Sequence, residues 1–230
     1  MKKLLNALAI MSLVATVPAA AADRHTLPDG FVYLDEAIPD LVLELRYATS
    51  DNFVGQPIDG YRHAHAILSA PAATALAEVQ AALRPFGAGL KVFDAYRPQR
   101  AVDHFVRWGQ DIGDRQTKPD YYPGVAKADL FREGYIASRS SHSRGSTVDL
   151  TIVYSDPDGS LRELDMGSRF DFFGPESWPD SRRVTAQQRA NRALLQILMT
   201  AHGFASYPQE WWHFTFAGEP YPDSYFDFPN

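Results

Sequence analysis

Three observations on this sequence predict a single α+β domain. Strand-period and helix-period segments interleave without a regular βαβ rhythm. No internal repeat or low-complexity linker divides the chain. Its 230 residues, 45% hydrophobic and 22% charged, suit one domain of about 200 residues with a sizeable core.

Residues 1–22 read as an export leader. Lys2 and Lys3 precede an apolar run from Leu4 to Val17, Pro18 breaks it, and Ala20-Ala21-Ala22 offers a small-residue cleavage site before Asp23. The run falls short of the about 20 apolar residues that a transmembrane helix needs. The expectation is cleavage after Ala22, a domain over residues 23–230, and a periplasmic or secreted location with no membrane attachment after cleavage.

Leu41, Leu43 and Leu45 alternate with Val42, Glu44 and Arg46, a half-buried strand. Ser69-Ala70-Pro71 opens a helix in which Leu76, Val79 and Leu83 share a face, and Gly87 ends it. Gly89 to Tyr96 reads as a second strand. Pro98 suits the first turn of the next helix, whose stripe is Val102, Phe105 and Val106 and whose stop is Gly113. From Thr147 to Val153 an apolar face (Val148, Leu150, Ile152) alternates with a polar one (Thr147, Asp149, Thr151). Thr185-x-x-Gln188 is a capping box for a helix running through Leu194, Leu195 and Leu198 to Gly203. Phe204–Tyr207 and Trp211–Phe216 read as a closing hairpin.

Composition removes several classes of function. Lys plus Arg number 22 against 28 Asp plus Glu, a net charge of −6. Without a basic run the chain is a poor partner for nucleic acid. It has no cysteine, which excludes disulfides, thiolate metal sites and a cysteine nucleophile. It has no P-loop, G-x-G-x-x-G, H-E-x-x-H or G-x-S-x-G.

What remains is histidine and carboxylate in two places. His142 sits in the Ser/Gly-rich stretch Ser140–Thr147, and Asp149 on the polar face of the strand that follows. A loop histidine can fold back over a strand carboxylate and share a zinc ion with it. The alternative is a histidine and an aspartate that never meet. The second place is Glu210-Trp211-Trp212-His213-Phe214, where a charged residue among aromatics needs a partner. His142, Asp149 and His213 then form three ligands with a fourth position open for water, the catalytic zinc pattern, at one ion per chain. Glu210 is the candidate general base. Residues three apart in an extended strand point to opposite faces, so Glu210 has to lie on a bend to approach His213. Arg97, at a strand-to-helix turn, is the candidate cation for a developing oxyanion, the alternative being a surface arginine paired with Asp94 or another acid. His63 and His65 would share a face in a strand, a second metal site being the alternative, but they lie in a polar loop-like stretch and read as structural; His25, His104 and His202 have no carboxylate pattern around them and read likewise. Asp156-Pro157-Asp158-Gly159 reads as a turn.

On Asp94-Ala95-Tyr96-Arg97-Pro98, Ser141-His142-Ser143-Arg144-Gly145-Ser146 and Glu210-Trp211-Trp212-His213, the chain resembles the zinc D-Ala-D-Ala peptidases with the Hedgehog-like fold. Within that group it resembles the VanX-type D-alanyl-D-alanine dipeptidases. Arg46–Thr49, Asp51–Gly55, Met166–Asp171 and the tail Glu219–Pro229 extend the likeness from about Gly30 to the end. The resemblance implies a central, mostly antiparallel sheet flanked by helices. It implies zinc on His142, Asp149 and His213, Glu210 as base and Arg97 at the oxyanion. It further implies that Asp171 meets the ammonium of a small D,D-dipeptide, and that Tyr47, Phe105, Ser140 and Ser141 line the pocket. A D,D-carboxypeptidase or endopeptidase of the same fold, and a non-catalytic zinc-stabilised binding module, are the alternatives. The resistance enzymes of this group work in the cytoplasm without a leader; an exported chain would meet dipeptides released from cell-wall material instead. The sequence does not read out the oligomeric state.

Overall fold

The computed structural model describes residues 24–230; the expected leader, residues 1–22, lies outside the described residues. The chain begins with β1 (Phe31–Tyr33), α1 (Leu34–Ala37) and β2 (Val42–Leu43). The strand expected through Leu41–Leu45 contracts to those two residues. A 3-10 turn over Arg46–Ala48 follows and drops Tyr47 into the core, 1% exposed. Next come β3 (Ile67–Ser69), which pairs with β1 as a separate ribbon, and α2 (Ala70–Leu83) with Pro71 in its first turn.

β4 (Ala88–Asp94) leads through Pro98 into α3 (Gln99–Gln110), and a short α4 (Lys118–Tyr121) follows. β5 (Thr147–Ser155) turns at Asp156–Gly159 into β6 (Leu161–Glu163). α5 (Ala186–Ala201) starts at the expected capping box: Gln188 N donates to Thr185 Oγ1 at 3.2 Å, and Thr185 N donates to Gln188 Oε1 at 2.7 Å. The hairpin of β7 (Phe204–Tyr207) and β8 (Glu210–Phe216) closes the sheet.

The main sheet runs β2-β4-β5-β8-β7, with β6 beside the far end of β5. β2 and β4 are parallel and every other pair in it is antiparallel, in keeping with the mostly antiparallel sheet expected. Val148, Leu150 and Ile152 join Leu76 and Val79 of α2 and Leu195 and Met199 of α5 in the principal core. Burying each such side chain contributes about 1.5–3 kcal/mol. The opposite face of β5 is polar as expected but not solvated: Thr147, Asp149 and Thr151 are at most 1% exposed. That buried polar face is where the candidate site lies.

Candidate active site

Two irregularities in the sheet assemble the site. Asp149 on β5 lies opposite His213 on β8. On the other side, regular pairing from Val92↔Leu150 would put Phe93 next to Asp149. A register shift puts Asp94 there instead. Two carboxylates and an imidazole, Asp94, Asp149 and His213, thus stand in one row across β4, β5 and β8. A second shift, between Ser206↔Phe214 and Tyr207↔Glu210, bulges β8. It supplies the bend that Glu210 needs, and Glu210 Oε2 comes to 3.4 Å from His213 Nδ1.

His142 arrives on a 3-10 turn, Ser141–Arg144, whose N-cap Ser140 accepts from His142 N through its hydroxyl. Gly145 ends the turn at φ +79°, and a Cβ there would lie 2.2 Å from the Phe31 ring. Only glycine fits that close approach. His142 Nδ1 lies 2.7 Å from the Ala95 carbonyl and donates to it, so Nε2 carries a lone pair in the neutral ring. Burial lowers the pKa of His142 and favours that neutral form. Its Nε2 points at Asp149 Oδ2, 3.2 Å away, and at His213 Nδ1, 3.3 Å away. Among the described residues no donor reaches the buried Asp149 Oδ1 in hydrogen-bond geometry, although His213 Nδ1 lies 3.1 Å from it.

Lone pairs converging on a buried carboxylate repel unless a cation lies between them. The donor set of two imidazole nitrogens and one carboxylate oxygen, all within 4.8 Å of one another, fits a zinc ion by ligand type and spacing. Despite burial, which opposes it, the two histidines hold Asp149 well below the usual carboxylate range. His213 is held above its ordinary value: burial pulls it down, and Asp149 and then Glu210 push it further up.

Glu210 is the opposite case. Burial pushes its carboxyl up to about 7, near the value a proton-transfer group needs at neutral pH. Arg97 bears on the pairing expected as the alternative to an oxyanion role. It does pair with Asp94, Nε to Oδ2 at 2.9 Å, but it is not a surface residue. Its guanidinium also lies 3.4 Å from Asp149 Oδ2 and over the rings of Tyr47 and Phe105 at 5.0 and 5.2 Å.

Tyr47 donates to both oxygens of Asp171, at 3.1 and 2.9 Å. Asp171 is 4% exposed and, among the described residues, the sole non-glycine with positive φ, +60°. Burial and then the charge of Asp149 raise its pKa well above the usual range. A cavity of about 390 Å³ collects these groups: Tyr47, Arg97, Phe105, Ser140, Ser141, Asp149, Asp171, Glu210 and His213 all line it, with Arg139. That volume lies at the small end of the about 300–1,000 Å³ typical of small-molecule sites.

Sequence reasoning weighed Asp94 only as a surface partner of Arg97 and missed the other supports. Fully buried Asp94 accepts from Tyr61 at 2.5 Å as well as from Arg97, and lies 3.5 Å from His142 Nδ1. The acid three residues before Arg97 was the signal available. The C-terminal tail straps both motif loops: Phe226 N donates to the Ser143 carbonyl, Gln99 N to the Phe226 carbonyl, and the Asn230 side chain to the Tyr96 carbonyl. The other histidines sit away from this group. His65 packs on Tyr33, His104 lies beside Asp59, and His202 Nδ1 meets the Leu198 carbonyl.

Residues 28–230 match the Peptidase_M15 model, described as D-ala-D-ala dipeptidase. A D-alanyl-D-alanine dipeptidase of Streptomyces coelicolor is 45% identical over 86% of this chain and 97% of its own. One from Enterococcus faecalis is 44% identical over 88% and 98%, and one from Escherichia coli 37% over 76% and 79%. Among solved structures, a point mutant of the vancomycin-resistance D,D-pentapeptidase VanY with Zn(II) overlays 70% of this chain and 78% of its own, at a TM-score of 0.41 and 16% identity. With a family match over nearly all described residues and relatives this similar end to end, the chain belongs to the D-Ala-D-Ala dipeptidase family of zinc metallopeptidases.

Proposed function

We propose that this chain hydrolyses D-Ala-D-Ala, or a close D,D-dipeptide, to two free amino acids. The observation that carries this reading is one small cavity lined both by Asp149 and His213 of the His142/Asp149/His213 set and by the buried carboxyl of Asp171. An anion at one end of a closed site selects an unblocked amino terminus; an enzyme that trims longer peptides has to leave that end open.

His142 Nε2, an Asp149 oxygen and His213 Nδ1 would hold one zinc ion. Bound there, zinc supplies Lewis-acid polarisation and an acidified water. Glu210 takes a proton from the attacking water as its oxygen bonds to the scissile carbonyl carbon. The carbon–nitrogen bond then breaks, and Glu210 passes the proton to the leaving amine nitrogen. Arg97, held by Asp94, steadies the charge that develops on the carbonyl oxygen. Asp171 and Tyr47 receive the ammonium, and Phe105, Ser140 and Ser141 complete the pocket. The substrate's own carboxylate needs a second cation, since Arg97 serves the carbonyl oxygen. Arg139 lines the same cavity, its guanidinium resting on the Tyr225 ring at 4.7 Å with no ion pair among the described residues, and serves that end.

The test is D-alanine release by the zinc-loaded protein from D-Ala-D-Ala and from its N-acetylated form. Release from the free dipeptide alone supports the reading. Equal cleavage of the blocked form points to a carboxypeptidase, and release from neither to a binding module. We also propose export by residues 1–22. A reporter fused behind them should leave the cytoplasm, and retention there would refute it.

A further inference from the structure

The loop 166–178 carries Asp171, yet Asp171 gets no backbone help from the sheet. Beside the Tyr47 bonds to the Asp171 carboxyl and the bond from Phe173 N to the Tyr121 carbonyl, the loop is held from α5. Arg192 is 2% exposed and has no carboxylate within ion-pair distance among the described residues. Its guanidinium instead donates to three carbonyls of that loop: Nε to Met166 at 2.6 Å, and the two terminal nitrogens to Trp178 and Glu176 at 2.7 Å each. These carbonyls sit on both sides of Asp171, so one planar fork ties the two ends of the loop together.

Burying a cation is costly unless its donors are met. Charge-assisted bonds to carbonyls satisfy this one; burial still pulls its pKa down, to about 10. A neutral chain could close a loop without a buried charge, so a cation spent on three carbonyls marks a segment whose shape is over-determined. The strained residue in that segment is Asp171, at φ +60°. The same face of α5 adds Asn191, which donates to the Asp165 carbonyl at 2.8 Å. From β8, Trp211 donates to Ser168 Oγ at 2.9 Å.

We propose that Arg192 is a positioning residue for substrate selection, holding the 166–178 loop so that Asp171 faces the substrate's ammonium. This rests on the dipeptidase reading above. Arg192 touches neither the metal-ligand set nor Glu210, so its loss should alter recognition of the amino end and leave the chemical step in place. A lysine reaches fewer of the three carbonyls and lacks the fork, and should rescue only in part.

The test compares zinc-loaded wild type, Arg192→Met and Arg192→Lys on D-Ala-D-Ala and N-acetyl-D-Ala-D-Ala, with zinc content and thermal melting alongside. For Arg192→Met, KM for the free dipeptide should rise about tenfold with kcat within about twofold, and the preference for the free over the acetylated substrate should shrink. Arg192→Lys should fall between. A merely structural role would lower the melting temperature and leave KM and selectivity of the folded fraction at wild-type values, which overturns the proposal. If Arg192→Met does not fold, Arg192→Lys is read alone: a smaller shift in the same sense supports it, and wild-type KM and selectivity overturn it. Failure of the dipeptidase reading shows separately, in a wild-type protein that releases no D-alanine from the free dipeptide, and takes the proposal with it.

Discussion

Asp149 and His213 are direct partners across β5 and β8, so the site's central carboxylate and one of its imidazoles are placed by sheet register rather than by loop closure. A single-residue slip in that pairing would send one of them to the apolar face. These two residues are therefore as rigid as the sheet, and a change of charge should disrupt them more than a change of shape.

Asp149→Asn isolates that point, because it keeps the volume and removes the charge between two imidazoles. The expected outcome is loss of bound zinc by a factor beyond the about 10–100-fold typical of outer-shell changes, with the fold retained. Metal content after dialysis against a weak chelator, beside a circular dichroism spectrum, measures it. A variant that holds zinc as wild type does would remove Asp149 from the ligand set.

Glu210→Gln separates proton transfer from metal holding. Activity should fall by about 10²–10⁴-fold while zinc content stays at the wild-type value. If zinc is lost along with activity, Glu210 is a ligand rather than the proton carrier.

Asp94→Asn tests the support beneath both Arg97 and His142. Asp94 Oδ2 binds Arg97 Nε at 2.9 Å and lies 3.5 Å from His142 Nδ1. The amide can keep one of these contacts but not the charge. Zinc affinity should drop about 10–100-fold, with a fall in kcat greater than the rise in KM. Unchanged affinity and unchanged kcat would make Asp94 a packing residue.

How much of this was legible beforehand differs by residue. The alternation Val148/Leu150/Ile152 against Thr147/Asp149/Thr151 placed Asp149 on the right face, and the capping box placed α5. The pairing of Asp149 with His213 was not legible, because register depends on contacts far apart in sequence. The bulge that swaps Asp94 for Phe93 beside Asp149, and the one that turns Glu210 toward His213, leave no local pattern either. Asp171 entered only through resemblance: a lone aspartate in a loop has no periodicity, and its value lies in burial and an unusual φ. Arg192 was invisible for a similar reason, since its partners are carbonyls and any residue carries one.

Asp171 gives a pH dependence with a definite sign. Burial and the charge of Asp149 raise its pKa, so the free site holds a protonated carboxyl below that raised value. Pairing with an ammonium requires the ionised form, and the substrate's charge pulls the pKa back down. Binding therefore releases a proton, and KM for D-Ala-D-Ala should fall as pH rises toward the raised value. It should climb again once the substrate amine, with a pKa of about 8, loses its charge. Asp171→Asn should raise KM and flatten the lower limb. KM measured across this range on the zinc-loaded protein checks it, and a flat profile for wild type would rule out Asp171 as the ammonium's partner.

Arg139 is the cavity cation without an acidic partner among the described residues, and a substrate-paired comparison reads its role. On D-Ala-D-Ala, Arg139→Ala should raise KM about 10–100-fold, the scale of one charge-assisted bond. On the C-terminal amide, D-Ala-D-alaninamide, wild type should already bind weakly, and the variant should add little further loss. That pattern, a large effect on the acid and a small one on the amide, is what a direct carboxylate contact produces and what a general loosening of the cavity mouth does not. The contact with Tyr225 at 4.7 Å supplies the control. Tyr225→Leu removes the ring beneath the guanidinium but not the charge, so it should cost less than Arg139→Ala and follow the same acid-over-amide order. Equal losses on both substrates would reduce Arg139 to a rim residue and leave the carboxylate to the hydroxyls of Ser140 and Ser141.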